Sequence, residues 1–270
     1  SGVQNTIIGG LAGDALTTGG FNVAVGYNSL GATTVGALNT AIGNFALNEN
    51  VRTNANVAIG QQALQSNVGD GSTDNQLTHN IAVGYFAGKE ITSGVQNTLI
   101  GSLAGDALTT GSKNVALGYQ ALTSEDAHGE NVAIGHNSLS NLNAGANGNN
   151  VALGFNSGYS MTSGIQNTII GSLAGDGLTT GSNNIAIGYA ALTTEDAHGR
   201  NVAIGYAALN ALNAGADAYN VAIGYRAGVD ISTGINNTIM GGNAGDALTT
   251  GSYNVALGYG ALSAANGSES

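Results

Sequence analysis

Apolar and polar positions alternate in short bursts along this chain, and the bursts return on a fixed period. In "NVAIGYAAL", 201–209, Val202 and Ile204 flank Ala203, with Asn201 before them and Gly205 behind. The same arrangement follows Asn5, Asn22, Asn39, Asn56, Asn80, Asn97, Asn114, Asn131, Asn150, Asn167, Asn184, Asn201, Asn220, Asn237 and Asn254, fifteen units in all. Successive asparagines stand 17 residues apart except for one interval of 24 and two of 19. Such fixed-period self-similarity is the mark of a repeat architecture. Within a unit the apolar period is two and the residues are β-branched, which predicts a strand. A helix would carry a glycine in every unit, at roughly 1 kcal/mol each relative to alanine.

The expected fold is therefore all-β: a parallel β-solenoid of about 15 coils, one 17-residue turn per unit, in a single domain over 1–270. The 19- and 24-residue intervals predict loops bulging from the coil. At ~4.8 Å between neighbouring strands, the coils predict a rod of roughly 70 Å. A longer period lies above the coil. "NTLIGSLAGDALTTGS" at 97–112 returns, with small changes, at 167–182 and at 237–252, a 70-residue superrepeat of four coils. The copy opening at Asn5 precedes Asn97 by 92 residues, so one extra coil is expected among the units at Asn39 and Asn56, with an excursion at 66–79.

Numbering columns from the asparagine, columns 2 and 4 are aliphatic or Thr and predict the coil interior. Column 3, Ala in 11 units, predicts close contact with a partner chain on the other face. Column 5 is always Gly (Gly101, Gly118, Gly135, Gly171 and Gly205 among them), as a bend or close backbone approach requires. The asparagines, including Asn5, Asn22, Asn97, Asn114, Asn131, Asn167 and Asn201, are expected at corners. There Asn tolerates a left-handed backbone, and stacking would align the amides as a ladder. Column 8, Ala or Ser, suits a tight interior. "ALTTGS" predicts a second, shorter strand and a turn.

Composition sharpens this picture. Charged residues are 8% of the chain, far below the ~25% of ordinary domains, and Pro, Cys and Trp are absent. Small residues pack thin layers, and a thin core favours burying more surface by association. The net charge of −11 with five Lys and Arg argues against nucleic acid and anionic membranes. No apolar run reaches the ~18 residues of a membrane span, so membrane insertion is not expected. No signal-peptide pattern opens the sequence. Without Cys there are no disulfides, thiolate chemistry or Cys-based zinc sites.

"NVAIG" followed by small residues and Gly resembles the head repeat of YadA-type trimeric autotransporter adhesins. The longer "NTxIGxxA…LTTGSxNVAxGYxAL" is similar to repeats of phage tail-fibre and bacterial surface proteins, many of which end in an endosialidase-type chaperone domain. The resemblance covers about 5–262. It implies a homotrimeric, left-handed β-roll serving as a fibre shaft or adhesin head, extracellular on a virion tail or bacterial surface. The 17-residue coil is longer than the adhesin repeat, and no coiled-coil stalk, anchor or chaperone domain is recognisable. "SGVQNT" opens the sequence and recurs at 93–98, so a piece of a longer fibre protein is expected.

Several clusters are candidates for chemistry. "SEDAHGE" and "TEDAHGR" bring Glu125, Asp126 and His128, and Glu195, Asp196 and His198, together as possible divalent-metal ligands. The simpler expectation is a solvated corner loop. Asp14, Asp106, Asp176 and Asp246 share one column; in a trimer the three copies of each would meet as a separate Ca²⁺ site, or else each forms an Asx turn. "GDGSTDN" at 69–75 is slightly like a calcium loop but lacks the closing Glu.

Column 6 carries Tyr27, Tyr85, Tyr119, Tyr189, Tyr206, Tyr225 and Tyr259, with Phe155 in the same column. These rings are either a glycan or receptor contact or packing between coils. Further receptor contacts are expected on the loops at 66–79, 124–130, 140–149, 194–200 and 210–219. No catalytic motif stands out, and no cofactor is expected. The leading expectation is a structural, adhesive fibre module with a glycan or protein receptor. A self-assembling extracellular filament is second, an ice- or glycan-binding solenoid lower, and a polysaccharide-degrading β-helix lower still.

Overall fold

The computed structural model describes residues 2–72, 76–195 and 197–263. The protein is all-β, a solenoid of fifteen parallel three-residue strands taken in sequence order, one per turn. It divides into two compact units, Ser1–Asn131 and Val132–Ser270. The first holds β1 (Thr6–Ile8), β2 (Val23–Val25), β3 (Thr40–Ile42), β4 (Val57–Ile59), β5 (Ile81–Val83), β6 (Thr98–Ile100) and β7 (Val115–Leu117). The second holds β8 (Val132–Ile134), β9 (Val151–Leu153), β10 (Thr168–Ile170), β11 (Ile185–Ile187), β12 (Val202–Ile204), β13 (Val221–Ile223), β14 (Thr238–Met240) and β15 (Val255–Leu257).

Columns pair with themselves. In the first unit Thr98 pairs with Val115, and in the second Thr168 pairs with Ile185. The longer intervals leave register intact, since Val57 still pairs with Ile81 and Val202 with Val221. Register slips are costly here because a one-residue shift would exchange the two faces of every strand.

Those faces are the reverse of the sequence expectation. Column 3 is the interior: Ala24, Ala41, Ala116, Ala203 and Ala222 are fully buried. Columns 2 and 4 point outward, and Val202 and Ile204 are only half-buried. The reason is interior width. Beside Ala116, Ala186 and Ala203 a buried leucine fills the space from column 9, namely Leu122, Leu192 and Leu209, whereas beside Ala82, Ala152 and Ala222 column 9 is Gly and the buried column 12 residue is Ile91, Met161 or Ile231. Where column 3 is large, as at Leu99, Ile169 and Ile239, column 9 is Gly105, Gly175 or Gly245. A Cβ on Gly105 would lie 2.9 Å from Leu99 Cδ2, and one on Gly245 3.1 Å from Ile239 Cδ1. In the Leu99, Ile169 and Ile239 coils, as in those of Ala116, Ala186 and Ala203, one of the two columns supplies the bulk and the other gives way. Column 12 completes the layer with buried Leu108, Leu178, Leu212 and Leu248, each worth roughly 1.5–3 kcal/mol of burial.

The column 1 amides form the expected ladder. Asn22 N–H donates to Asn5 Oδ1 at 2.8 Å, Asn114 to Asn97 at 2.9 Å, Asn131 to Asn114 at 3.1 Å and Asn201 to Asn184 at 3.0 Å. Many of the amide nitrogens also cross their own coil, as when Asn97 Nδ2 donates to Gly111 O and Asn167 Nδ2 to Gly181 O, both at 2.9 Å, while Asn131 and Asn201 Nδ2 donate to Gly129 O and Gly199 O. These side chains are buried, so each bond removes a desolvation cost of about 1–3 kcal/mol.

The left-handed corner lies elsewhere than expected. The residue before each Asn has positive φ (Gln4 58°, Gln96 60°, Arg200 64°), as do columns 7 and 9 (Ala207 53°, Leu209 49°). The column 5 glycines Gly101, Gly118, Gly135, Gly171 and Gly205 have φ between 133° and 137°. A Cβ on Gly171 would sit 2.5 Å from Gly188 O of the next coil, so only Gly fits.

The "ALTTGS" segments form turns and bends, not a second strand. Their backbone bonds between coils are intermittent, for example Thr92 N–H to Thr109 O at 2.9 Å and Ser232 N–H to Thr249 O at 2.8 Å. A strand needs an unbroken ladder.

Candidate functional site

Column 12 becomes acidic in two coils that lie four coils apart. Where Leu108 and Leu178 stand in one coil, the next coil carries Glu125 or Glu195, each fully buried. The sequence expectation of a solvated loop is therefore corrected at these two residues. Column 15, a buried Gly111 or Gly181 in the preceding coil, becomes His128 or His198. The corner turns inward because its backbone serves the amide ladder: Asn114 Nδ2 donates to His128 O at 3.2 Å, and Asn184 Nδ2 to His198 O at 3.4 Å. The side chains follow. His128 N–H donates to Glu125 Oε1 at 3.1 Å, and His198 N–H to Glu195 Oε1 at 3.2 Å. The imidazole Nδ1 lies 3.4 Å from Glu125 Oε1 in the first unit and 3.5 Å from Glu195 Oε1 in the second. Both Nδ1 atoms are buried and neither makes a hydrogen bond. Exposed Asp126 brings a second carboxylate, and donor atoms of Glu125, Asp126 and His128 all lie within 4.8 Å of one another. Asp196, the matching residue in the second unit, lies outside the described residues.

The other candidates are less concentrated. Asp14, Asp106, Asp176 and Asp246 belong to separate coils and do not meet within the chain. Burial pushes the Asp106 and Asp176 carboxyls above the ordinary 3.8. Asp106 Oδ1 and Asp246 Oδ1 are buried without a hydrogen bond. In the 66–79 excursion Asp70 accepts from Ser72 N–H at 2.9 Å and from its hydroxyl at 2.6 Å, which holds the Asp70 pKa down. Residues 73–75 of "GDGSTDN" lie outside the described residues. Val51, Arg52, Val68, Gly69, Asp70 and Gly71 line a cavity of about 320 Å³ there.

The tyrosine column is brought together in the second unit. Tyr189 and Tyr206 stack with ring centroids 5.2 Å apart and 16° between planes, and Tyr206 and Tyr225 at 5.3 Å and 18°. In the first unit Tyr27 meets Phe45 edge to face, and Tyr119 is 45% exposed. Tyr189, Tyr206 and Tyr225 are 48%, 47% and 56% exposed, but the rings of the stack cover one another's faces. What they offer a ligand is therefore edges and hydroxyls, together with the two outermost faces.

No family model, curated protein or solved structure matches this chain.

Two features escaped the sequence reading. The first is an interior polar cluster in the first unit, where column 12 is Thr33, Asn50 and Asn67 instead of leucine. Thr33 Oγ1 donates to Asn50 O at 2.6 Å, Thr53 Oγ1 to Asn67 Oδ1 at 2.8 Å and Thr78 Oγ1 to Asn56 Oδ1 at 2.7 Å. The column identity held the signal, but column 12 was not recognised as interior.

The second is the outward sheet face. Columns 2, 4 and 6 contain no Asp, Glu, Lys or Arg in any unit. Aliphatic side chains there stay open to solvent, with Ile100 40%, Leu153 44% and Met240 41% exposed. No helix among the described residues is long and apolar enough to cross a membrane.

Proposed function

We propose that this chain is a structural and adhesive fibre module, the shaft or head of a trimeric phage tail fibre or bacterial surface adhesin, working outside the cell. The observation that carries the reading is the uncharged outward sheet face with its half-exposed aliphatic columns. Contiguous exposed apolar surface of this kind marks an interaction site. A second copy of the same chain presents the same columns at the same ~4.8 Å strand spacing, so its side chains interdigitate coil by coil along the repeat. Association through this face covers what the narrow interior leaves outside. Receptor or glycan contact then falls to the edges of the tyrosine column and to the loops that leave the coil.

Solution mass and shape test the reading. A mass of three chains, reduced to one by Ile204→Glu with Ile170→Glu, is the expected outcome. A wild-type chain that stays monomeric at high micromolar concentration overturns it. Open-ended fibres would instead favour a self-assembling filament.

A further inference from the structure

We infer that Glu125, Asp126 and His128 form a site for a divalent transition metal of the zinc type, repeated at Glu195 and His198. The site is independent of the fibre reading. Two donors each about 2.1 Å from a tetrahedral metal lie roughly 3.4 Å apart. The Glu125 Oε1 to His128 Nδ1 separation is 3.4 Å, and the copy 70 residues later repeats it at 3.5 Å. That spacing is long for a hydrogen bond, and neither Nδ1 makes one. It suits two ligands sharing an ion.

The carboxylate is already aimed. Glu125 is fully enclosed, and the His128 backbone N–H holds its Oε1 from one side at 3.1 Å, which fixes the carboxylate beside the imidazole. Asp126 supplies the third protein donor from the solvent side, so the coordination sphere closes with water. The donor set selects the metal. An imidazole nitrogen with carboxylates suits zinc and its neighbours, whereas Ca²⁺ and Mg²⁺ prefer all-oxygen shells. The ion would also offset part of the cost of burying the Glu125 carboxylate one coil away from Leu108. It would pin the corner joining column 12 to column 15 in that coil.

The test uses the full chain and Zn²⁺ alone, titrated by calorimetry and by competition with a chromophoric chelator. Saturable binding with up to two ions per chain is expected. His128→Gln with His198→Gln should weaken it by about 100-fold or more, and His79→Gln with His136→Gln should leave it unchanged. Co²⁺ in place of Zn²⁺ should give visible absorption bands that the first double variant loses. Asp126→Asn is exposed and leaves the interior intact, so it keeps the test sharp if the histidine variant does not fold. It should weaken binding at the first site about tenfold. Absence of saturable binding by the wild type overturns the proposal, as does equal binding by a folded His128→Gln, His198→Gln variant or an unchanged first site in Asp126→Asn.

Discussion

In β12, Ala203 is completely enclosed while its neighbours Val202 and Ile204 are half open to solvent. The larger residues of the strand thus lie outside and the smallest lies inside. The same holds for Ala116 between Val115 and Leu117 in the first unit. A 17-residue coil is too narrow to take the aliphatic residues of columns 2 and 4 into its core as well. Its interior is instead filled by an exchange between columns 3 and 9, by the asparagine amides and by column 12. The apolar surface left outside is the part of the molecule without a partner in a single chain.

The largest effect is expected where neither face has room. Gly171→Ala places a Cβ against the Gly188 carbonyl at φ 133°. Strained backbone of this kind costs about 1–3 kcal/mol before the clash is added, so a loss of about 3 kcal/mol or more should appear in denaturant unfolding. Ala203→Leu comes next. Overpacking the interior costs about 1–3 kcal/mol, and adding Leu209→Gly should recover part of it by copying the Leu99 and Gly105 arrangement. If the double variant is no better than Ala203→Leu alone, the exchange between columns is wrong.

On the outer face the ordering reverses between two measurements. Ile204→Ser should change single-chain stability by less than about 1 kcal/mol, as for a half-buried methyl-bearing group. It should, however, weaken self-association measured by sedimentation. An equally small effect on both would leave the outer columns without a role.

The smallest effect concerns Asp106. Burial raises its pKa in the folded state, so the protonated form is favoured there. Its contribution is fully present below the ordinary 3.8 and is lost as pH rises through the raised value. Asp106→Asn should therefore flatten the pH dependence of the unfolding midpoint just above that range, and stabilise the protein slightly at neutral pH.

The coil length, the strand in each unit, the glycine column and the amide ladder were legible in the sequence. Each depends on a local requirement met fifteen times, such as the positive φ and missing Cβ of Gly171 or the bond from Asn201 to Asn184. The burial of Glu125 was not legible. "SEDAHGE" reads as a polar loop until column 12 is known to point inward. The tyrosines were visible as a column, but that the rings of Tyr189, Tyr206 and Tyr225 cover one another follows only from the distance and tilt between successive coils.

The sequence by itself determined the repeat, because parallel in-register stacking demands that like residues recur at equal spacing. The tertiary structure alone decided which side of each strand is inside. A three-residue strand with apolar residues on both faces carries no direction of its own. Direction came from the coil's width, which admits a methyl group at Ala203 beside Leu209, or Leu99 beside Gly105, and turns Val202 and Ile204 toward whatever lies beyond the chain.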